Sequence, residues 1–551
     1  MDGDFKGDFT RDSFAFDPLR LRQFSRVLMQ QGRVQLDADW NEQTDLLLYT
    51  LRRLITDLVG PHWGMFDFVI DPQANNNSGK ITDINPNSFK IKQLQTSPPD
   101  FSIAKGHYYV DGILCVNDHE DKQPLTYMGQ EPKPDQLGAD RYWVYLDVWE
   151  RQVTFLEDPD IREVALGENG PDTATRAEVV WQVKTSSTVP PIPQDTFDRF
   201  GNSGRDAGNG LLRINFVEGS TADLIEAFQP AHRGALKARG RAPSEGDTEP
   251  CITPPDSQFR GDENQLYRVE IHTGGTQETA TFKWSRENGS VVFPIVDLGG
   301  NTVTLGNLGR DSSLSLELND WVEIIDDDYI LQVATLQGPG STTPLQGPVN
   351  PLLQVEKIEV DKTNPLNVLV TLRNTSGGPL PVPVGQDPKK HPLLRRWDQR
   401  AGTGKKGGEP KLLKDGTIPI NEGITEDSWL TLEDGVQIQF QPGEGTIESH
   451  SGGGLTKNSY RTGDYWLIPA RTIIGDVLWP QDPSGHPEAL SPHGVKHHYT
   501  LLAVISFLSK DKGPIAVDLR YMVPPLGKLA VFLDVGDTSG LKIDAFHNAG
   551  L

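Results

Sequence analysis

Residues 142–156 read YWVYLDVWERQVTFL, and this stretch decides the fold class. It is rich in aromatic and β-branched residues, and its apolar and polar residues alternate, which predicts a long strand or a strand pair. The same period of two recurs at Val179–Val183, Tyr267–Ile271, Thr279–Trp284, Ser290–Val296, Asp320–Ile325, Leu353–Val360, Val436–Phe440, Asp464–Ile468, Tyr499–Phe507 and Leu519–Val523. The sequence therefore predicts a mainly β chain.

Turn signals between these strands favour antiparallel pairing. Ser102–Asp118 (SIAKGHYYVDGILCVND) has the pattern of a hairpin, with Asp111-Gly112 at its turn. The 55 glycines and 41 prolines make about 17% of the 551 residues, which exceeds the usual ~12% and indicates many turns. At roughly 100–200 residues per domain, the chain is predicted to be multidomain, with antiparallel sheets in sandwich- or barrel-like modules.

One N-terminal amphipathic helix is predicted ahead of the strands. Asp37 or Asp39 can cap its start, with Glu42 in the capping-box position after Asp39. Gly60-Pro61 is predicted to end it. Apolar residues at i, i+4, i+7, i+8 and i+11 line one face, which is either buried in the chain, a contact between subunits, or exposed; they are Leu47, Leu51, Leu54, Ile55 and Leu58.

Changes in periodicity divide the chain into five consecutive parts. Two stretches, 186–260 and 374–410, lack a clear period and are predicted to be long irregular loops. The predicted parts are 1–65 (N-terminal arm and helix), 66–185 (a β domain), 186–260 (an irregular insertion), 261–375 (a second β domain) and 376–551 (a C-terminal β domain with a loop-rich start and a tail).

The charge of the chain argues against two classes of partner. The formal net charge of −24 repels phosphate backbones and anionic membrane surfaces, so we do not expect nucleic-acid binding. The sequence has no stretch of 18 apolar residues, so we do not expect direct membrane insertion. The two cysteines, Cys115 and Cys251, are too few for a disulfide framework and favour a reducing compartment. The N-terminus lacks the apolar core of a signal peptide, so synthesis in the cytoplasm is expected.

Histidines near the C-terminus form the first candidate for chemistry. His486, His493, His497 and His498 lie close together in sequence, and His493 and His497 would share a face if the segment were helical. The segment starts with proline and glycine and continues into a β-type apolar run. Ordinary structural histidines in a turn are therefore favoured over a metal site.

Carboxylates supply two further candidates. Asp326, Asp327 and Asp328 could bind Ca²⁺, but the offsets of an EF-hand are missing and a solvated turn is favoured. Asp147 and Glu150 lie near Trp149, Glu157 and Asp158, a composition that glycosidases also use. Asp147 and Glu150 differ in parity, so they point to opposite faces of one strand and cannot form a catalytic pair from it.

The remaining signals of catalysis are weak. His107 could approach Cys115 across the predicted hairpin, but a buried structural thiol is favoured. The chain has no nucleophile elbow, no Walker loop and no Gly-x-Gly-x-x-Gly that opens a helix after a strand. The sequence therefore predicts a non-enzyme with no cofactor and no metal.

A set of long motifs, occurring in order, resembles a bacterial family of unassigned domain function. The resemblance extends from about residue 5 to about residue 507, and its motifs are Lys6–Asp12, Phe24–Gln43, Tyr145–Arg151, Glu163–Gln182, Tyr267–Pro294 and Tyr460–Arg471. Members of that family accompany gene clusters for phage-tail-like contractile injection systems. The resemblance implies a structural component of such a particle, at the baseplate periphery, in a cage or extension around the baseplate, or in a fibre-like appendage.

The resemblance also implies partners and a location. Expected partners are other subunits of the particle, from the baseplate and from the sheath, and copies of this chain. The particle would be released by lysis or held at a membrane through its partners. The residues expected to fix the N-terminal arm onto the helix and onto a partner are Arg26, Gln31, Arg33, Asp37, Asp39, Trp40 and Asn41.

Two other functions stay open at this point. A carbohydrate- or surface-binding module on such a particle would need exposed aromatic platforms, for which the candidates are Trp143, Trp149, Trp284, Trp321, Trp397 and Trp466. Most of these lie in alternating strands, where core packing competes with that role. A glycan- or peptide-acting hydrolase would need convergent carboxylates or a metal in a cleft.

Overall fold

The computed structural model describes most of the chain, and every structural statement below concerns that part. The described residues are 24–65, 67–71, 80–85, 87–119, 124–167, 172–187, 233–241, 258–309, 314–336, 350–365, 367–378, 380, 384–400, 410–443, 458–508 and 513–523. The prediction of a mainly β, multidomain fold is confirmed within these residues, because they form several antiparallel sheets, one of them a closed barrel.

The N-terminal module is built from four groups of strands. One sheet consists, in pairing order, of β27 (Met522–Val523), β1 (His62–Met65), β6 (Gly106–Val110) and β7 (Ile113–Asn117). A second consists of β10 (Arg176–Ser186), β9 (Arg141–Val153), β25 (His498–Ser506) and β26 (Ile515–Asp518). Smaller sheets are β4 (Ile91–Thr96), β5 (Pro99–Ile103) and β8 (Leu125–Thr126), and the pair β2 (Asp67–Asp71) and β3 (Lys80–Asn85). One apolar core lies between the two large sheets and the sheet of β4, β5 and β8.

The remaining strands form a barrel and two sheets that share a core. The six-stranded barrel closes in the order β14 (Val292–Gly299), β15 (Thr302–Leu305), β18 (Val368–Arg373), β17 (Leu353–Val360), β16 (Trp321–Ile325) and β19 (Leu393–Trp397). A five-stranded sheet runs β20 (Ile418–Pro419), β13 (Thr281–Ser285), β12 (Gln265–Thr273), β23 (Tyr465–Arg471) and β24 (Asp476–Val477). It packs on β11 (Ala235–Gly240), β22 (Val436–Gln441) and β21 (Leu430–Thr431).

Helices are few in the described part. The two α-helices are α1 (Asp37–Val59) and α2 (Asp327–Leu336). Single 3-10 turns lie at Tyr127–Gly129, Pro159–Ile161, Val164–Leu166, Pro388–Lys390 and Glu426–Ser428.

The turn of the predicted hairpin is confirmed, but the hairpin is shorter than predicted. Asp111 and Gly112 have φ values of 50° and 77°, which is the left-handed geometry of a tight two-residue turn between β6 and β7. Ser102 and Ile103, however, belong to the preceding strand β5.

Two stretches predicted to be irregular contain strands. β11 lies inside the predicted insertion 186–260 and pairs along its whole length with β22. β19 lies inside 374–410 and pairs with both β14 and β16 to close the barrel. Most of the remaining insertion (188–232 and 242–257) and the tail after residue 523 lie outside the described residues. Strand pairing also crosses the predicted domain boundaries, since β25 lies between β9 and β26, while the five-part division itself stays a prediction.

The acidic triplet starts a helix, so the prediction of a solvated turn is wrong there. Asp326 is buried, and its carboxylate accepts hydrogen bonds from the backbone N–H groups of Tyr329 (2.9 Å) and Gly385 (3.0 Å). Asp327 and Asp328 occupy the first turn of α2, where negative charge suits the helix dipole. A short acidic sequence after a strand resembles a solvated turn. The contact with Gly385, 59 residues later, which buries Asp326 at the helix start, is not visible in the local sequence.

Candidate functional site

Helix α1 begins and ends close to the predicted residues, but its cap differs. Leu36 is the N-cap, and the Asp39 carboxylate accepts a hydrogen bond from the Leu36 backbone N–H at 3.4 Å, so neither Asp37 nor Asp39 is the N-cap. Gly60, with φ at 117°, ends the helix and donates its N–H to the Thr56 carbonyl at 2.9 Å. The predicted stop at Gly60-Pro61 is confirmed.

A narrow face of α1 holds the helix on the N-terminal module. The Leu46 side chain is buried at 1% exposure. The Arg52 guanidinium donates two hydrogen bonds to the Glu150 carboxylate on β9, at 2.8 and 3.0 Å. The turn at Gly112 lies so close to the Arg52 backbone that a Cβ there would be 2.8 Å from the Arg52 carbonyl oxygen. These contacts fix the orientation of the helix.

The leucines of the predicted apolar face lie on the outside of the molecule. Leu47, Leu51, Leu54 and Leu58 are 61, 52, 53 and 69% exposed, and Ile55 alone of the predicted face is partly buried. Trp40 is 61% exposed on the same side. Of the open alternatives, a buried face is therefore excluded in the single chain. We define Trp40, Leu47, Leu51, Leu54 and Leu58 as the leucine seam.

The seven predicted contact residues are all exposed or partly buried. Arg26, Gln31, Arg33 and Asp37 are exposed, Trp40 lies in the leucine seam, and Asp39 and Asn41 are partly buried. The arm meets the helix through a different pair, because the Val27 N–H donates to the Gln43 side-chain oxygen at 3.0 Å. Residues 1–23 lie outside the described part. A role of the seven residues toward a partner stays a prediction, and Gln43 and Arg52 are additions that sequence reasoning missed.

Truncating the leucine seam should cost the single chain little stability. We expect Leu51→Ala or Leu54→Ala to change the free energy of unfolding by less than about 0.5 kcal/mol, because surface substitutions away from packed features have small effects. A buried helix face would instead give roughly 2–5 kcal/mol. Urea unfolding of the isolated chain, with Leu46→Ala as a buried control on the same helix, separates the two cases.

The histidines of the C-terminal segment do not converge. His497 Nδ1 lies 2.6 Å from Asp147, His498 Nδ1 lies 2.7 Å from Asp111, and the side chain of His486 is 75% exposed beside Asp482. The backbone of His493 pairs with that of Tyr465. Among the described residues, no group of three or more histidine, cysteine, aspartate or glutamate side chains has the geometry of a metal site.

The carboxylates near Trp149 are held apart, as their parity predicts. Asp147 is fully buried and accepts from Lys184 Nζ at 2.6 Å on one oxygen, with His497 on the other. Burial alone would raise the pKa of Asp147, but His497 and Lys184 outweigh it and lower that pKa. Glu150 faces the other side of β9 and binds α1. The arrangement ties β9 to β10 and to the residue that precedes β25 through charge-assisted hydrogen bonds.

Cys115 and the candidate tryptophans are parts of the cores. Tyr108, and not His107, lies opposite Cys115 in the hairpin, and burial raises the pKa of the Cys115 thiol well above its usual range. The six tryptophans considered as glycan platforms are all buried, so that assignment is corrected to core packing; they are Trp143, Trp149, Trp284, Trp321, Trp397 and Trp466.

The comparisons with known proteins identify a family. The model of a family of unknown function, DUF6519, matches residues 5–188 and 230–513. This chain belongs to the DUF6519 family. No curated protein and no solved structure matches it.

The match places the helix inside the part that defines the DUF6519 family. Its first segment includes α1 and strand β9, which binds Arg52, and its second spans the barrel and both sheets beside it. Within the described residues of this DUF6519 chain, no helix combines the length and apolar character that a membrane span requires.

A buried ionic cluster joins the barrel of this DUF6519 chain to the neighbouring sheet. Glu323 on β16 accepts hydrogen bonds from Lys283 Nζ (2.6 Å), the Trp397 indole N–H (3.0 Å) and the Tyr329 hydroxyl (3.1 Å). Burial alone would raise the pKa of Glu323, but Lys283 and neighbouring cations outweigh it and lower that pKa. Lys283 also lies 3.5 Å from Glu270 on β12. Every member is nearly inaccessible, which suits a structural joint between modules.

Proposed function

We propose that this DUF6519 chain is a non-catalytic structural component of a phage-tail-like contractile injection particle, located at the baseplate periphery as part of a cage or extension. The observation that carries the proposal is the leucine seam, a row of large apolar side chains exposed on a helix that is fixed to the body by its opposite side. Exposed apolar patches of this kind mark contact surfaces. The particle itself is taken from the family resemblance.

The position of the family motif supports the same proposal. The motif Phe24–Gln43 covers the described arm and the first turns of α1, so the segment that carries the resemblance is also the segment that presents Trp40. The partners on this proposal are baseplate and sheath subunits and copies of the chain. A chain with a net charge of −24 also resists non-specific association before assembly, because like-charged surfaces repel.

Co-sedimentation tests the proposed function. We expect a tagged copy, expressed in the bacterium that encodes the chain, to sediment with sheath and tube subunits in intact particles. The control is a tagged Leu51→Lys, Leu54→Lys variant, which keeps the core but changes the seam and should be depleted from the same fraction. Particles that are complete and lack the wild-type chain would contradict the proposal.

A further inference from the structure

The spacing of the leucine seam is that of a coiled-coil contact. Trp40, Thr44, Leu47, Leu51, Leu54 and Leu58 follow one another at alternating steps of four and three residues. At 100° per residue, the five members of the seam fall within about 60° of arc. Steps of three and four are what place apolar knobs into the holes of a second helix.

The seam points away from the body of the chain. The side of the helix that faces the body is centred about 180° around the helix axis from the seam. It includes Leu46, which is buried, and Arg52 and Thr56, which are partly buried. A second helix can therefore approach the seam without displacing the contact between Arg52 and Glu150. The contacts that hold α1 on its own chain and a contact through the leucine seam therefore use different faces of the helix.

We infer that the leucine seam pairs with the same seam of a second copy of this chain, the two α1 helices forming a short two-stranded coiled coil. The inference rests on the proposed function in that it names a partner for the same surface. A two-fold contact uses the same patch on both copies, so the patch must be complementary to itself. A row of leucines meets that condition.

The near absence of charged residues beside the leucine seam favours a second copy of this chain as the partner. Two copies of a chain with a net charge of −24 repel each other, so a stable contact must avoid facing carboxylates. The positions that flank the seam are almost free of charge; they are Asn41, Gln43, Leu48, Thr50, Ile55 and Asp57. The one carboxylate among them, Asp57, is paired with Arg53 of its own helix at 3.2 Å.

The area of the seam also suits a dimer. A half-exposed leucine offers on the order of 100 Å² of apolar surface, so the seam offers on the order of 500 Å² per chain. Two chains would bury about 1,000 Å² in total, which is at the lower limit of specific protein interfaces. An association in the micromolar range, strengthened when the chain is arrayed in a particle, fits that area.

Sedimentation equilibrium of the full chain, between about 1 and 100 µM, tests the inference. We expect the wild type to approach twice the 60.9 kDa of one chain. Leu51→Lys with Leu54→Lys should weaken association by about tenfold or more, because like charges then face each other across the seam. The matched control is Ile473→Lys with Ile474→Lys, which changes two exposed apolar residues elsewhere and should dimerise as the wild type does.

Charge complementation shows whether the partner is a second copy. Leu51→Glu with Leu54→Glu should be monomeric alone, and an equimolar mixture with the lysine variant should form a dimer containing one chain of each. Circular dichroism spectra equal to that of the wild type establish that both variants are folded. A mixture that stays monomeric overturns the inference.

Other outcomes identify a different occupant. A wild type that is monomeric throughout, or a dimer that the lysine variant leaves intact, overturns pairing through the seam. Cross-links from the seam to residues 1–23 of the same chain would assign it to the chain's own N-terminus instead. If the wild type is monomeric but still sediments with particles, the proposed function stands and only the second copy as partner fails.

Discussion

Replacing Glu323 by Gln should destabilise the protein by about 3–5 kcal/mol. The substitution leaves the Lys283 ammonium buried without its closest carboxylate, and breaking a buried ion pair from one side costs about that much. The amide of Gln keeps one oxygen acceptor, so its NH2 group must face either Lys283 and the Trp397 indole N–H or the Tyr329 hydroxyl, all of which donate to Glu323. The loss should appear in the transition that unfolds the barrel together with the five-stranded sheet.

The matched control carries the same change of charge on the surface of the same barrel. Glu359 on β17 pairs with Lys357 at 2.8 Å, and about half of each side chain is exposed. Glu359→Gln should change stability by less than about 1 kcal/mol, as exposed ion pairs do. Urea unfolding followed by tryptophan fluorescence measures both variants. A Glu323→Gln midpoint equal to that of Glu359→Gln would mean that the cluster does not join the two modules.

The second large effect is a loss of stability in acid that depends on His272. This side chain lies buried on β12, and burial, together with repulsion from Lys283, lowers its pKa to about 4; Glu323, Asp415 and Glu270 offset only part of this. Its ordinary value is about 6.5, so the unfolded chain takes up the proton first as the pH falls. Stability is therefore fully present above about pH 6.5 and is lost between there and about pH 4.

The expected size of this loss is about 2–3 kcal/mol between pH 7 and pH 4.5, at 1.36 kcal/mol for each unit of pKa difference. Unfolding at both pH values should show that His272→Gln loses less stability on acidification than the wild type by that amount. His486→Gln, which changes an exposed histidine, should follow the wild type. Equal pH dependence in all three proteins would show that His272 is not held neutral by the fold.

Strands are predicted well where their own residues alternate between apolar and polar. They are predicted poorly where only pairing with a distant strand makes the segment a strand. The alternating stretch at 142–156 forms β9 at Arg141–Val153. By contrast, β11 is a strand because it pairs with β22, about 200 residues later in the chain, and its own sequence ALKARG gives little indication of a strand. β19 is likewise surrounded by loop-like sequence and becomes a strand by closing the barrel. Long-range hydrogen bonding is not visible in local composition.

For helix α1, too, the local sequence predicts the element but not its tertiary surroundings. The period of Leu47, Leu51, Leu54 and Leu58 predicts a helix with one apolar face, and the helix is there. Periodicity states which residues share a face, but it cannot state what covers that face. The contact that turns the helix is the ion pair between Arg52 and Glu150, which are 98 positions apart. That pair puts the apolar face outward, and no local pattern indicates it.

The central claim is that the outer face of α1 is the surface by which the chain enters its assembly. Oxidative footprinting of Trp40, compared between the isolated chain at low concentration and the assembled particle, tests it most directly. Trp40 is 61% exposed in the single chain, so we expect rapid oxidation there and strong protection in the particle, shared by peptides that contain Leu47–Leu58. Equal oxidation of Trp40 in both states would contradict it.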